Sequence, residues 1–261
     1  MRIGVAGAYG ATGALVVGRL ARTTDHDLLV GGRNADRSAQ LAAELGDRAS
    51  ARAVDVMRPD SLAEFCDACD LLVNCAGPSH LVRDRVARVA VERRTDLVDV
   101  GGAELVFPEL TRSWDDPARA GVTVIVDAGW IPGLSGVLAH AVTARAREAM
   151  TVERLDMVYG DASAWSDTAT LDIVELVRMR PGLGTMRGGR FVPAAGTRGT
   201  LRRVRLPDPF GGGIATLAFA SELHRLGETL DRAEVACWAV PLAGPRATAA
   251  LLFSLAALRG R

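Results

Sequence analysis

In the first half of the chain, hydrophobic residues gather in short unbroken runs, and between the runs apolar and polar positions recur at a helical period. The runs predict strands at Arg2 to Ala6, Leu28 to Gly31, Ala51 to Asp55, Leu71 to Asn74, Asp96 to Val100 and Val122 to Val126. The stretches between them predict helices from Ala11 to Arg22, from Ala35 to Leu45, from Pro59 onward and from Leu81 to Glu92. Strands that do not alternate are covered on both faces, so the expected sheet is parallel and doubly wound, of the α/β class.

After Asp127 the pattern changes. Gly129-Trp130-Ile131-Pro132-Gly133 reads as a turn leading into a helix that runs to about Ala149. Val152 to Tyr159 reads as a strand and Ser166 to Met179 as a helix. Arg190 to Val192, Thr200 to Leu206, Ile214 to Phe219 and Ala233 to Val240 read as strands between Gly and Pro positions. Strands grouped in this way predict a second, smaller α+β domain with a mostly antiparallel sheet. The expected division is residues 1–128, 129–240 and 241–261, the last carrying an apolar helix from Ala247 to Leu258 that returns to the first domain.

The first strand runs directly into Gly7, Gly10 and Gly13, and a helix follows. Main-chain amides at a helix start lack intrahelical partners and favour an anion, while glycines let the chain turn and approach a pyrophosphate. A tight strand-to-helix turn that binds nothing is the plainer alternative, but the strand-helix-strand context favours a dinucleotide cradle of Gly7, Tyr9, Gly10, Ala11, Thr12 and Gly13.

The end of the second strand selects the dinucleotide: an acidic residue there binds the ribose hydroxyls of NAD. This chain has Gly31-Gly32-Arg33-Asn34 instead, with Arg37 one turn on, so Arg33, Asn34 and Arg37 favour the extra phosphate of NADP(H). A solvated arginine pair is the alternative. Asp55 is expected to accept from the adenine amino group. Cys75, Ala76, Gly77 and Pro78 are expected to face the nicotinamide side, with Gly129 and Trp130 in the same crevice. Asp99, Asp127 and the loop Ala128 to Gly133 are expected to line the same crevice, the two aspartates either as catalytic groups or as strand-end carboxylates that cap a following turn. His80 follows the nicotinamide-side loop at a helix start, either as a group that bonds substrate or moves a proton, or as an ordinary helix residue.

Composition narrows the partners. Of the 261 residues 49% are apolar, and 31 basic against 31 acidic residues leave no net charge, so neither nucleic acid nor an anionic membrane is expected and a small-molecule substrate is. No basic and apolar leader opens the chain, and no apolar run approaches the roughly 20 residues that span a bilayer, so a soluble cytoplasmic protein is expected. Cys66 and Cys69 form a C-x-x-C without companion ligands, and read as small apolar residues rather than as a metal or redox pair. Every basic residue other than histidine is arginine. Schiff-base chemistry, a Walker A loop and the Tyr-x-x-x-Lys pair of short-chain dehydrogenases are thereby excluded.

Gly7 to Gly13, Gly32-Arg33-Asn34, Val73 to His80, Val98 to Gly102, Gly129 to Gly133 and Leu206 to Gly211 together resemble the saccharopine dehydrogenase-like reductases. The resemblance implies an N-terminal NADP-binding Rossmann domain, an inserted substrate domain that often makes a dimer contact, and a homodimer. It also implies hydride transfer to a carbon–nitrogen bond or an activated alkene. Where amino-acid-reducing members tend to be acidic this chain has Ile131 after Trp130, and its substrate domain is short. Both features argue for a small imine or enoyl substrate over a large zwitterion, whose buried charges would each need a partner. His80, Tyr159 and Asp161 are the catalytic candidates, with Trp165 nearby. An NADP-sensing binding protein without turnover is the rival reading, and an isomerase or dehydratase that recycles its hydride internally is a third.

Overall fold

The computed structural model describes residues 1–101, 120–161, 166–178, 183–194, 198–218, 221–230 and 232–242. The chain divides into two compact units, Met1–Gly129 and Trp130–Arg261.

In the first unit, β1 (Arg2–Ala6), β2 (Asp27–Gly32), β3 (Ala49–Ala53), β4 (Leu71–Asn74), β5 (Asp96–Asp99) and β6 (Val124–Ile125) form one sheet in the order β3-β2-β1-β4-β5-β6. Every pairing is parallel. The order reverses between β1 and β4, so the loops after these two strands part and leave a crevice at their carboxyl ends. Helices α1 (Ala11–Thr23), α2 (Ala35–Leu45), α3 (Pro59–Cys66), α4 (Ser79–Val82) and α5 (Arg85–Glu92) connect the strands. In β1, β2, β4 and β5 alternate residues feed opposite cores, as the unalternating apolar runs require, whereas the edge strand β3 is largely exposed. Val5, Val30 and Val73 join Val17 of α1 on one side, and Leu29, Leu72 and Leu97 join Phe65 of α3 on the other. Phe65 is fully buried, and a Cβ on Gly31 would stand 2.4 Å from its ring.

Strand β6 covers two of the five residues expected for it, and two further departures from the sequence expectation have local causes. Strand β3 ends at Ala53, and Asp55 belongs to the following turn: its amide donates to Ser61 Oγ at 3.1 Å and its Oδ1 accepts from the Met57 amide at 3.0 Å. The helix expected over Leu81 to Glu92 is two helices, because Arg83 takes a left-handed φ of 53° and interrupts the hydrogen-bond ladder between α4 and α5.

In the second unit a mixed sheet is built around β12 (Glu234–Pro241), which pairs antiparallel with β11 (Gly212–Ala218) and β8 (Gly184–Arg187) and parallel with β7 (Arg154–Asp161). Strands β9 (Arg190–Pro193) and β10 (Leu201–Arg205) extend it as hairpin partners of β8 and β11. Helices α6 (Leu134–Arg147) and α8 (Ser221–Glu228) share a core with the sheet through Ala139, Leu223, Leu226, Val235 and Cys237. Leu217, Ala236, Trp238 and Val240 form a separate cluster. Helix α7 (Asp167–Arg178) follows β7. Strand β8 and helix α8 were not expected from the sequence, being short and, in α8, largely polar. The helix expected from Ala247 to Leu258 lies outside the described residues.

Replacing Phe65 by alanine removes the ring that fills the space between α3 and the β1–β2 pair. The substitution is expected to cost about 3–5 kcal/mol of unfolding free energy, measured by urea denaturation.

Candidate functional site

The glycine loop is held by contacts that leave no room for side chains. Gly7 has a left-handed φ of 77°, and a Cβ on it would stand 2.9 Å from the Ala76 nitrogen. A Cβ on Gly13 would stand 2.1 Å from the Gly7 carbonyl oxygen, so α1 presses directly on the end of β1. Gly10 caps α1 without a side-chain hydrogen bond, its own amide donating to Gly7 O at 2.9 Å. Gly10, Ala11 and Thr12 are exposed, which leaves the first-turn amides of α1 open to an anion.

The β2–α2 turn lies beside this loop. Asn34 caps α2, its Oδ1 accepting from the Arg37 amide at 2.9 Å, while its own amide donates to the Tyr9 hydroxyl at 2.9 Å. The Arg37 guanidinium stacks 4.2 Å from the centre of the Tyr9 ring and donates to the Tyr9 carbonyl at 3.4 Å. Asn34 and Arg37 therefore have structural work in the turn, and Arg33, like Arg37, is exposed there.

Across the crevice, the Cys75 amide donates to Ala6 O at 2.9 Å and ties the loop after β4 to β1. Asn74 and Asp99 are register partners at the ends of β4 and β5. Asn74 Nδ2 donates to Asp99 Oδ2 at 2.8 Å, and Asn74 Oδ1 accepts from the Ala76 amide at 3.1 Å. Asp99 Oδ1 accepts from the Gly101 amide at 3.0 Å. Burial pushes the Asp99 carboxyl up to about 6; the Asn74 and Gly101 hydrogen bonds oppose that rise and the Asp127 charge adds to it. Of the two sequence alternatives for Asp99, it is the turn-capping one that these bonds describe. The Asn74–Asp99 pair had no sequence signal, since the pairing of the two strands is set by the fold. Burial, with Asp99 nearby, pushes the Cys75 thiol up to about 12. Cys66, at the end of α3, and Cys69 are pushed by burial to about 12 and about 11.

The remaining candidates are dispersed. His80 is the second residue of the four-residue α4, half-buried and engaged by neighbours. Asp55 has one carboxylate oxygen occupied in its own turn. Gly129 ends the first unit and Trp130, 61% exposed, begins the second. Tyr159 and Asp161 lie on β7 of the second unit, where Tyr159 packs against the core shared with α6 and α8. The Asp161 side chain and Trp165 lie outside the described residues. On the same strand Asp156 accepts from Arg154 Nε at 2.7 Å, Trp238 Nε1 at 2.8 Å and Arg202 Nη1 at 2.9 Å. Burial raises its carboxyl, but these bonds outweigh it and hold the group below the usual carboxylate range.

Residues 3–125 match the family described as Saccharopine dehydrogenase NADP binding domain. No curated protein matches the chain. Among solved structures, a saccharopine dehydrogenase (L-Glu forming) from Saccharomyces cerevisiae is similar at 17% identity over 92% of this chain and 54% of that one, with a TM-score of 0.67. GenD2 from gentamicin A biosynthesis, solved with NAD, is similar at 14% identity over 94% and 66%, with a TM-score of 0.51. A probable dehydrogenase from Thermotoga maritima is similar at 12% identity over 92% and 68%, with a TM-score of 0.50. The chain spans about half the length of the yeast dehydrogenase. Residues 3–125 of the first unit thus match an NADP-binding domain, and the cradle that side chains would fill, together with the exposed Arg33, fits that cofactor. No helix among the described residues is long and apolar enough to cross a membrane.

With an ordinary aspartate value near 4 in the unfolded chain, the Asp99 carboxyl binds its proton more tightly in the fold. Its contribution to stability is therefore fully present below about pH 4 and is lost as pH rises through about 6. Asp99→Asn removes this term. Unfolding free energy should then rise more steeply with pH in the variant than in wild type over that interval, as read from urea denaturation at several pH values.

Proposed function

We propose, on the premise that residues 3–125 belong to the saccharopine dehydrogenase NADP-binding domain family, that the protein is an NADPH-dependent reductase acting on a small imine or enoyl substrate. The observation that carries this reading is the side-chain-free cradle at the start of α1 beside a turn that offers Arg33, with glycines and no carboxylate at the last two positions of β2. The first-turn amides of α1 would hold the pyrophosphate, and Arg33 the 2′-phosphate. The main chain from Cys75 to Pro78, fixed by Ala6 and Asn74, would lie along the nicotinamide ribose. When bound, the cofactor supplies a hydride from its nicotinamide ring.

The chain's own contribution is to hold the cofactor and to keep an apolar environment near the reacting bond. An imine protonated before reduction needs no acid from the protein at the transfer step. An enoyl substrate needs one, and His80, Tyr159 and Asp161 are the candidates for that role. Trp130 and Ile131 favour a substrate with little charge at that edge. The same reading includes residues 129–240 as the substrate domain, a homodimer and a cytoplasmic location.

Two measurements test the proposal. NADPH consumption in the presence of a panel of small imines and enoyl compounds is expected; tight NADPH binding with no oxidation by any of them would favour the sensing protein. Arg33→Ala should weaken NADPH roughly tenfold to a hundredfold and leave NADH affinity unchanged, as titration calorimetry reads it. Equal NADPH affinity in the variant would remove Arg33 from the phosphate site.

A further inference from the structure

Tyr9 sits in the glycine loop, but its side chain turns toward the β2–α2 turn. A Cβ on Gly32 would stand 2.5 Å from Tyr9 Cε1, 2.6 Å from Cζ and 2.7 Å from the hydroxyl oxygen. Gly32 is buried and is the last residue of β2. Its φ lies outside the left-handed region, unlike that of Gly7, so the backbone there would accept any residue. The three atoms nearest to that Cβ all belong to the Tyr9 side chain.

The end of β2 is where dinucleotide folds of this topology place the acidic side chain that takes the ribose hydroxyls of NAD. We propose that Tyr9 determines the dinucleotide preference: its ring fills the volume that a ribose-binding carboxylate at residue 32 would need, and it braces the turn that presents Arg33. The inference rests on the cofactor reading above and extends it to the side chain of Tyr9, which contacts the β2–α2 turn. Three contacts make the brace. The Asn34 amide donates to the phenol oxygen at 2.9 Å, the Arg37 guanidinium stacks on the ring at 4.2 Å, and Arg37 Nη2 donates to the Tyr9 carbonyl at 3.4 Å. Stacking desolvates one face of Arg37 and limits its motion, which fixes the first turn of α2 next to Arg33.

A double-variant cycle tests this, with dissociation constants for NADPH and NADH from titration calorimetry. Gly32→Asp alone should weaken NADPH at least about tenfold without gaining NADH, because carboxylate and phenol compete for one space. Adding Tyr9→Ala should bring NADH binding at least about tenfold above that of Gly32→Asp alone. If Gly32→Asp by itself takes up NADH as well as the double variant does, Tyr9 does not guard the position and the proposal falls. Should Gly32→Asp fail to fold, Tyr9→Phe decides: loss of the phenol oxygen should lower the preference for NADPH over NADH about threefold to tenfold, and an unchanged ratio overturns the brace. A wild-type protein that binds neither nucleotide, or NADH better than NADPH, refutes the cofactor reading instead, independently of how the variants compare with one another.

Discussion

Three stretches of main chain meet around Gly7 with no space between them for a methyl group. The start of α1 presses on the Gly7 carbonyl through Gly13, and Gly7 itself lies against Cys75 and Ala76. This close approach brings the helix start to the carboxyl edge of the sheet, at the point where the strand order reverses. Backbone amides, rather than side chains, then become the nearest polar groups to a ligand. The loop after β4 is located by the same contact, since its first amide bonds to the last residue of β1. Displacing any one of the three segments would shift the other two.

The two sides of the crevice carry opposite electrostatics. On the adenine side, Arg33 is exposed and Arg37 is stacked on an aromatic ring, an arrangement suited to a multiply charged anion. On the other side the acidic group is buried, and its named partners are neutral donors, an amide side chain and a main-chain N–H. With no cation among those partners, burial dominates and the carboxyl titrates not far below neutrality. The Asn74–Asp99 pair couples the loops after β4 and β5, so the segment expected to meet the nicotinamide ribose is held from two neighbouring strands.

The first unit was largely legible in the sequence because its buried strands left short apolar runs and each connection from β1 to β5 a helical period. The failures there have local causes. Ser61 and Met57 draw Asp55 into a turn and end β3 early, and the left-handed Arg83 divides a stretch whose apolar period runs through the break. The second unit was less readable. Strand β8 contributes few buried positions, and α8 is short. In the candidate site the glycine cradle and Arg33 followed from residue type and spacing. The Asn74–Asp99 pair depended on the register of two strands, and the Tyr9 contacts on the direction of one side chain, neither of which spacing encodes.

The two sheets differ in when their central strand is made. In the first unit β1, which pairs with β2 and β4, is made before either of them, and later strands add to a neighbour already present. In the second unit β7, β8 and β11 all pair with β12, which is the last of them to be synthesised. The earlier strands must wait, with their inner edges open, until translation has passed Pro241. A nascent chain halted before that point would hold a first unit able to close and a second left as unjoined hairpins, the form of the protein most in need of a chaperone.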